Sequence, residues 1–269
     1  MKRALSLIAV VLLAWVGASA GTISDNFESY ALGTFPSPTW LDAGVPFADP
    51  RTPIPSATVV ATTDAFGHPT QALQIANAVS YSRGIYAPVA ISTQYSLAAD
   101  IRVDQYSDHP ANTVSDWAMQ LTFAQAGAGN FAFIPQAGIY ASSLTGRWRL
   151  FSQGAVFADI DLGVPASIGT WYYVQLSFDV GTATFHSVIE DAATGSVLVN
   201  RFDTVAGLNL ANTQYNAIAF FGGEASTGDT VGDVSTVDNV NISASTPEPS
   251  TLLLIGSGLA LLAARIRSR

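Results

Sequence analysis

Two aspartates, Asp159 and Asp161, stand two residues apart in the segment ADIDLG and could form a pair of carboxyl groups. In a strand, side chains at positions i and i+2 point to the same side of the sheet. Retaining hydrolysis of a glycosidic bond needs two carboxyls about 5 Å apart, one of which has a raised pKa. The sequence offers neither aspartate a partner that would raise its pKa, and the body's glutamates, Glu28, Glu190 and Glu224, are widely scattered. We therefore expect exposed strand carboxylates rather than a catalytic pair.

The three histidines do not form a recognisable metal or nucleophile motif. His68 lies in the turn FGHPT, His109 precedes a proline, and His186 is in the middle of the strand-like segment ATFHSV. None has a second histidine at metal-ligand spacing, no Gly-x-Ser-x-Gly elbow accompanies them in the body of the chain, and the chain contains no cysteine. We expect turn or surface histidines, while a Ser-His-Asp set formed only in three dimensions stays open.

Aromatic side chains offer a route to sugar binding, because Trp and Tyr rings pack on the C–H faces of pyranoses. Most of them are expected in the core, and the sequence singles out none. In DWAMQLTF the alternation predicts Trp117 on the same buried face as Met119. The formal candidates for stacking are Trp40, Tyr106, Tyr140, Trp148, Trp171 and Tyr215.

The elements that must position these side chains are strands. In YSLAADIRVDQY, Leu97, Ala99, Ile101 and Val103 alternate with polar residues, which predicts a strand with one buried face. No stretch of the body sustains a helical period for three turns, and Gly, Pro, Asn and Asp separate the segments. The fold class is therefore predicted to be all-β. The other predicted strands are ATVVATTDAF, QALQIANAV, FAFIPQAGIYA, RWRLFSQG, AVFADIDLG, TWYYVQLSFDV, TATFHSVIED, GSVLVNRF, NAIAFFGGE and VDNVNIS.

Composition and charge narrow the classes of partner. The 269-residue chain has 22 glycines, 13 prolines and a net charge of −9 at pH 7. Between the two ends of the chain, six arginines stand against nineteen carboxylates, so the surface repels phosphate backbones and nucleic acid is not expected as a partner. A chain of this length can bury a sufficient core without disulfides.

The N-terminus MKRALSLIAVVLLAWVGASAGT has the three parts of a secretory signal peptide. Lys2 and Arg3 precede an apolar stretch over residues 4–16, and a small-residue ASA site follows. We place the cleavage between Ala20 and Gly21.

The C-terminus carries a second apolar run, over residues 251–264, which would form about 21 Å of helix and is short for a hydrocarbon core of about 30 Å. Arg265, Arg267 and Arg269 follow it. By the positive-inside rule these arginines stay on the cytoplasmic side and leave the body of the chain outside, in agreement with export. The run predicts a marginal transmembrane helix.

The sequence before that run explains why a plain anchor is not the best interpretation. Pro247, Glu248 and Pro249 precede the apolar run, which contains Gly256 and Gly258. The two prolines favour an extended backbone at the membrane face, where a protease could reach it. Residues 247–269 resemble the PEP-CTERM sorting signal of Gram-negative bacteria. This resemblance implies that an exosortase, an integral-membrane transpeptidase, removes the tail and that the body goes to the cell surface or the exopolysaccharide matrix.

The number of strands predicts two stacked sheets or a barrel, since long edges would otherwise stay exposed. The segment TWYYVQLSFDVGTATFHSVIEDAATGSVL resembles the paired hairpins of laminin-G-like and concanavalin-like domains. DNFESYALGTFPSPTW and VDNVNIS resemble the first and last strands of jelly-roll carbohydrate-binding modules. In a jelly roll the first and last strands run side by side, so the resemblance implies a structural calcium ion held by Glu28 and Asp238, although Asn239 replaces a second acid. Polar residues capping two edge strands are the alternative.

Taken together, these observations predict a signal peptide over residues 1–20, a concanavalin-like jelly-roll β-sandwich over 21–245, and a sorting tail with a transmembrane helix over 246–269. The expected function is that of an exported, exosortase-sorted, non-enzymatic protein that associates with extracellular polysaccharide. It would be transiently anchored in the inner membrane and then reach the surface or matrix. The alternatives are a carbohydrate-active hydrolase or lyase of concanavalin-like fold and a purely structural matrix protein.

Overall fold

A computed structural model describes the greater part of the body of the chain. The described residues are 22–42, 57–76, 83–108, 117–125, 136–153, 157–204, 215–222 and 232–245. They contain fifteen strands, all paired antiparallel, and within these ranges there is no helix. The predicted all-β class is confirmed. The signal peptide, its cleavage site at Ala20 and Gly21, and the tail with Pro247, Glu248 and Pro249 lie outside the described residues.

The strands form two sheets. Sheet A has eight strands in the order β13-β12-β11-β6-β15-β4-β3, with β1 paired to β15, and sheet B has seven in the order β10-β9-β8-β7-β14-β5-β2. The strands of sheet A are β1 (Thr22–Asp25), β3 (Ala57–Thr63), β4 (Pro69–Ala76), β6 (Gln94–Gln105), β11 (Trp171–Asp179), β12 (Thr184–Asp191), β13 (Ser196–Thr204) and β15 (Val234–Ser245). The strands of sheet B are β2 (Leu41–Asp42), β5 (Arg83–Pro88), β7 (Trp117–Ala124), β8 (Gln136–Ser142), β9 (Arg147–Gln153), β10 (Phe157–Pro165) and β14 (Ala217–Gly222).

The core lies between the two sheets, and alternation along the strands builds it. In β6, Leu97, Ala99, Ile101 and Val103 are fully buried, as the sequence predicts. They belong to one continuous apolar cluster to which both sheets contribute, for example Phe220 from β14. The jelly-roll β-sandwich is confirmed, while the domain boundaries at residues 20 and 245 stay predictions.

The first and last strands lie side by side, as expected. Residues Thr22 and Asp25 of β1 pair with Ser243 and Val240 of β15. This pairing brings the N-terminal loop next to the last strand, and so places Glu28 near Asp238.

One face assignment in β7 is wrong. The pairing of β7 with β8 has a register shift between Trp117 and Met119, so the strict alternation of the sequence is broken there. Met119 packs in the core between the sheets, whereas Trp117 joins a separate cluster with Tyr140 and Phe151 on the other face of sheet B. A bulge moves a side chain to the opposite face, and the alternation of residue types gave no sign of it.

Candidate functional site

The two residues predicted to hold calcium, Glu28 and Asp238, both contact the hydroxyl group of Thr70. Thr70 Oγ1 lies 2.8 Å from Glu28 Oε1 and 3.4 Å from Asp238 Oδ2. The Gln71 amide also donates to Glu28 Oε1 at 2.7 Å. The structure therefore brings Glu28 and Asp238 together around Thr70.

Carboxyl groups dominate the surroundings of Asp238. Its side chain is buried, and β15 pairs Asp238 with Asp100 of β6. Burial raises the pKa of Asp238 to about 6, and the charges of Asp100 and Glu28 act in the same direction. Asn239, which takes the place of a second acid, donates to Asp100 Oδ2 at 2.8 Å. Across the described ranges, no group of three or more His, Cys, Asp or Glu side chains is arranged to hold a metal ion.

Asp25 organises the N-terminal loop, and the sequence analysis missed it. Its carboxylate accepts hydrogen bonds from Tyr30 Oη and Trp40 Nε1, both at 2.8 Å, and from the Phe27 amide at 2.9 Å. Phe27 has a positive φ of 58° and is fully buried. The sequence signal that could have identified this role is an Asp two residues before an aromatic residue. Asp side chains often accept a hydrogen bond from the backbone amide two residues ahead.

Asp159 and Asp161 share a face, as predicted, but arginines hold both of them. Arg149 Nε lies 2.5 Å from Asp159 Oδ2, and Arg147 Nε lies 3.0 Å from Asp161 Oδ2. Desolvation raises the pKa of Asp159, but hydrogen bonds from Arg149 and Tyr140 outweigh it, and the net shift is downward. The pKa of Asp161 is also lowered, because the Gly163 amide and Arg147 outweigh its desolvation. Both carboxyls are therefore ionised at neutral pH.

The two histidines within the described ranges lie on the surface, as expected. His68 contacts Asp64 in an exposed turn, with 3.2 Å between Nδ1 and Oδ2. His186 of β12 lies 2.9 Å from Asn200 Oδ1 through its Nε2 atom and stacks on Phe202. His109 falls outside the described residues.

The six aromatic candidates separate into core and surface residues. Trp40, Trp148 and Tyr215 are fully buried in the core between the sheets and cannot stack on a ligand there. The indole of Trp171 donates to a backbone carbonyl and lies under Arg102, while the hydroxyl of Tyr106 donates to Ala166 O. Only Tyr140 of these candidates joins an outward aromatic cluster of sheet B.

That cluster forms part of what we call the aromatic–amide face, defined by Trp117, Gln120, Gln136, Tyr140 and Phe151 on β7, β8 and β9. These side chains point away from sheet A, yet none of the five is more than 8% exposed. The Trp117 and Phe151 rings stack with 5.9 Å between centroids, and Tyr140 meets both rings edge-on. The three rings therefore form one aromatic cluster in the middle of sheet B.

A ladder of amides crosses the same face. Gln120 Nε2 donates to Gln136 Oε1 at 3.0 Å, and Gln136 Nε2 donates to Gln153 Oε1. Two polar atoms beside the ladder, Gln120 Oε1 and Trp117 Nε1, are buried, and neither has a hydrogen-bond partner among the described residues. A buried polar atom without a partner costs about 1–3 kcal/mol, so a group that reached either atom and paired with it would recover that cost.

Comparison with solved structures agrees with a lectin-like sandwich. The chain matches winged bean acidic lectin complexed with methyl-alpha-D-galactose at a TM-score of 0.51 and 9% identity, over 85% of this chain and all of the lectin. It matches domain 4 of AbnA, an extracellular arabinanase from Geobacillus stearothermophilus in complex with arabinotriose, at a TM-score of 0.50 and 14% identity, over 86% of this chain and 96% of that domain. A third match is to a sialidase, with 15% identity and a TM-score of 0.48 over 84% of this chain. This chain spans only 19% of the length of that sialidase. The fold is that of jelly-roll lectins and carbohydrate-binding domains.

The C-terminal segment matches a family model. Residues 245–268 match the PEP-CTERM protein-sorting motif, so the chain carries the predicted sorting signal. The sequence has no significant match among curated proteins. In the described part of the chain, no helix is long and apolar enough to cross a membrane.

Proposed function

We propose that this protein is exported, sorted by an exosortase to the cell surface or the extracellular matrix, and binds carbohydrate there through the aromatic–amide face. The observation that carries the proposal is the pair of buried polar atoms without a described partner, Trp117 Nε1 and Gln120 Oε1, beside the aromatic cluster. The sorting motif supports the destination. The fold that the chain shares with lectins supports carbohydrate as the class of ligand.

The chemistry of the face suits a sugar. A hydroxyl group is both donor and acceptor, so sugar hydroxyls can donate to Gln120 Oε1 and accept from Trp117 Nε1. The rings of Trp117 and Tyr140 are 8% and 4% exposed, so the apolar surface that they offer to the C–H face of a pyranose is small. The neighbouring Arg149 and Asp159 side chains are 21% and 26% exposed, so water reaches the border of the face along β9 and β10. A carbohydrate chain would enter from that side.

Binding without hydrolysis is the proposed activity. A glycoside hydrolase needs one protonated carboxyl to protonate the leaving group. Asp159 and Asp161 lie on the same outer surface, but both have lowered pKa values and both contact arginines. Ionised carboxylates held in this way position a ligand and do not supply a proton to it.

The test compares two buried tryptophans that lie on opposite faces of sheet B. Trp117→Phe keeps an aromatic ring on the aromatic–amide face but removes the indole N–H, so we expect about fivefold weaker binding of the full-length chain to polysaccharide. Trp148→Phe is the matched control, because Trp148 is also buried and its Nε1 also lacks a described partner, but its ring packs in the core against Tyr172. Affinity gel electrophoresis in mild detergent, with polysaccharide extracted from the host's surface, measures both variants. Equal affinities for the wild type and Trp117→Phe would refute the assignment of this face.

The cluster of Glu28, Thr70 and Asp238 is where we propose a structural calcium ion. Its donor atoms are all oxygens, which calcium prefers, and among the described ion pairs no arginine neutralises Glu28 or Asp238. An ion there would join the N-terminal loop to β4 and β15. Its contribution would be to the stability of the sandwich.

A further inference from the structure

A groove of about 480 Å³ crosses the outer face of sheet A, on the opposite side of the sandwich from the aromatic–amide face. Five neighbouring strands each contribute one outward-facing residue to the groove, and these residues lie in a row across the sheet: Ser243, Ser96, Ser177, His186 and Phe202. These residues are directly paired from strand to strand, from β15 through β6, β11 and β12 to β13. Adjacent strands lie about 4.8 Å apart, so the row spans roughly 19 Å across the strands.

Serine hydroxyls and a carboxylate line part of the groove, and an aromatic ring closes one end. Ser177 Oγ donates to Ser96 Oγ at 3.2 Å, and Asp179 accepts from Gln94 Nε2 at 3.3 Å. At the far end the Phe202 side chain is 70% exposed.

The ring of Phe202 is held in place. It stacks on His186 with 4.2 Å between centroids and an interplanar angle of 10°. His186 is in turn fixed by Asn200 through the 2.9 Å contact at Nε2. A ring that is both exposed and fixed offers a stacking platform at little cost in side-chain entropy.

We propose that this groove is a second carbohydrate site, for a segment of an uncharged linear polysaccharide, with Phe202 as its stacking residue. The hydroxyls of Ser243, Ser96 and Ser177 follow one another along the groove at the strand spacing of about 4.8 Å and can pair with sugar hydroxyls. The carboxylate of Asp179 and the acidic surface of the protein disfavour an anionic chain. With a site on each outer face, one protein molecule can bind two polysaccharide chains and bridge them. This bridging rests on the proposed function of the aromatic–amide face.

The test uses two exposed phenylalanines that each neighbour a histidine. Phe202→Ser removes the platform, and Phe66→Ser is the control, because Phe66 is 67% exposed and lies near His68 in a turn away from the groove. The probes are hydroxyethyl cellulose, galactomannan, arabinan, the host's own extracted polysaccharide and, as an anionic chain, alginate. Affinity gel electrophoresis of the full-length chain in detergent measures binding, and solution viscosity measures bridging.

We expect Phe202→Ser to bind an uncharged polysaccharide about fivefold more weakly than the wild type does. Adding Phe202→Ser to a solution of that polysaccharide should leave the viscosity as it is after addition of buffer alone. Phe66→Ser should behave as the wild type in both measurements. Trp117→Phe should weaken binding to a similar extent, and the double variant should bind least. If Phe202→Ser binds and bridges like the wild type, or if alginate is the preferred probe, the groove proposal is overturned. If Trp117→Phe alone is unaffected, the groove stands as the binding site and the aromatic–amide face fails. Absence of binding by the wild type overturns both.

Discussion

Removing the Asp25 carboxylate should destabilise the sandwich, because three hydrogen bonds of the N-terminal loop end on it. In Asp25→Ala, the Tyr30 hydroxyl and the Phe27 amide can form hydrogen bonds to water instead, since Tyr30 is only half-buried. Trp40 cannot, because it is fully buried and its Nε1 donor loses its only described partner. An unsatisfied buried donor costs about 1–3 kcal/mol, and the two other bonds contribute about 0.5–1 kcal/mol each, so the expected loss is about 3 kcal/mol.

The matched control is Asp64→Ala. The Asp64 carboxylate also accepts three hydrogen bonds, from the Phe66 and His68 amides and the His68 ring, but in an exposed turn. Water can replace all three, so we expect a loss of less than about 1 kcal/mol.

Thermal unfolding followed by far-UV circular dichroism measures both losses. For a chain of this size a loss of 3 kcal/mol corresponds to a fall in Tm of about 6–12 °C. In a double-mutant cycle, Trp40→Phe should cost less stability in the Asp25→Ala background than in the wild type, because there it removes an orphaned donor rather than a hydrogen bond. Equal shifts for Asp25→Ala and Asp64→Ala, or an equal cost of Trp40→Phe in both backgrounds, would refute the reasoning.

Two further predictions concern stability. Gly138→Ala should lower Tm markedly, at a cost of about 3 kcal/mol or more, because its Cβ would lie 2.0 Å from Leu121 O and 2.9 Å from the Phe151 ring. Gly181→Ala is the control, as its Cβ would meet only a carboxylate oxygen at 3.3 Å, and an unchanged Tm for both variants would contradict this account. A chelator should lower the Tm of the wild type if calcium binds at the proposed cluster, and Asp238→Ala should abolish that difference, since the ion stabilises only the folded state. A wild-type Tm that does not respond to chelator rules the ion out.

The sequence predicted most of the strands because apolar residues alternate strictly in segments such as that of β6. It also predicted that the first and last strands are neighbours, which brings Glu28 and Asp238 together. It did not identify β5 or the two-residue β2, in which alternation is too short or too weak to distinguish a strand from a loop.

The two outer faces could not be predicted, because both depend on how strands pair. Trp117 reaches the aromatic–amide face only through a bulge, and the residue types around it give no sign of the extra residue. Ser96, Ser177 and Phe202 are up to about a hundred positions apart in the chain and become neighbours through the register of β6, β11, β12 and β13. A single sequence records which face of a strand is buried but does not record the partner strand or its register.

The most direct test of the central claim is the distribution of the protein between the polysaccharide fraction and the medium of its host, measured by quantitative mass spectrometry for the wild type and Trp117→Phe. We expect the wild type in the polysaccharide fraction, with peptides of the body but none from the end of the tail at Arg269. We expect Trp117→Phe to be processed in the same way but to shift into the medium. Recovery of intact Arg269 peptides from the matrix would contradict the sorting, and an identical distribution of the two proteins would contradict carbohydrate binding by the aromatic–amide face.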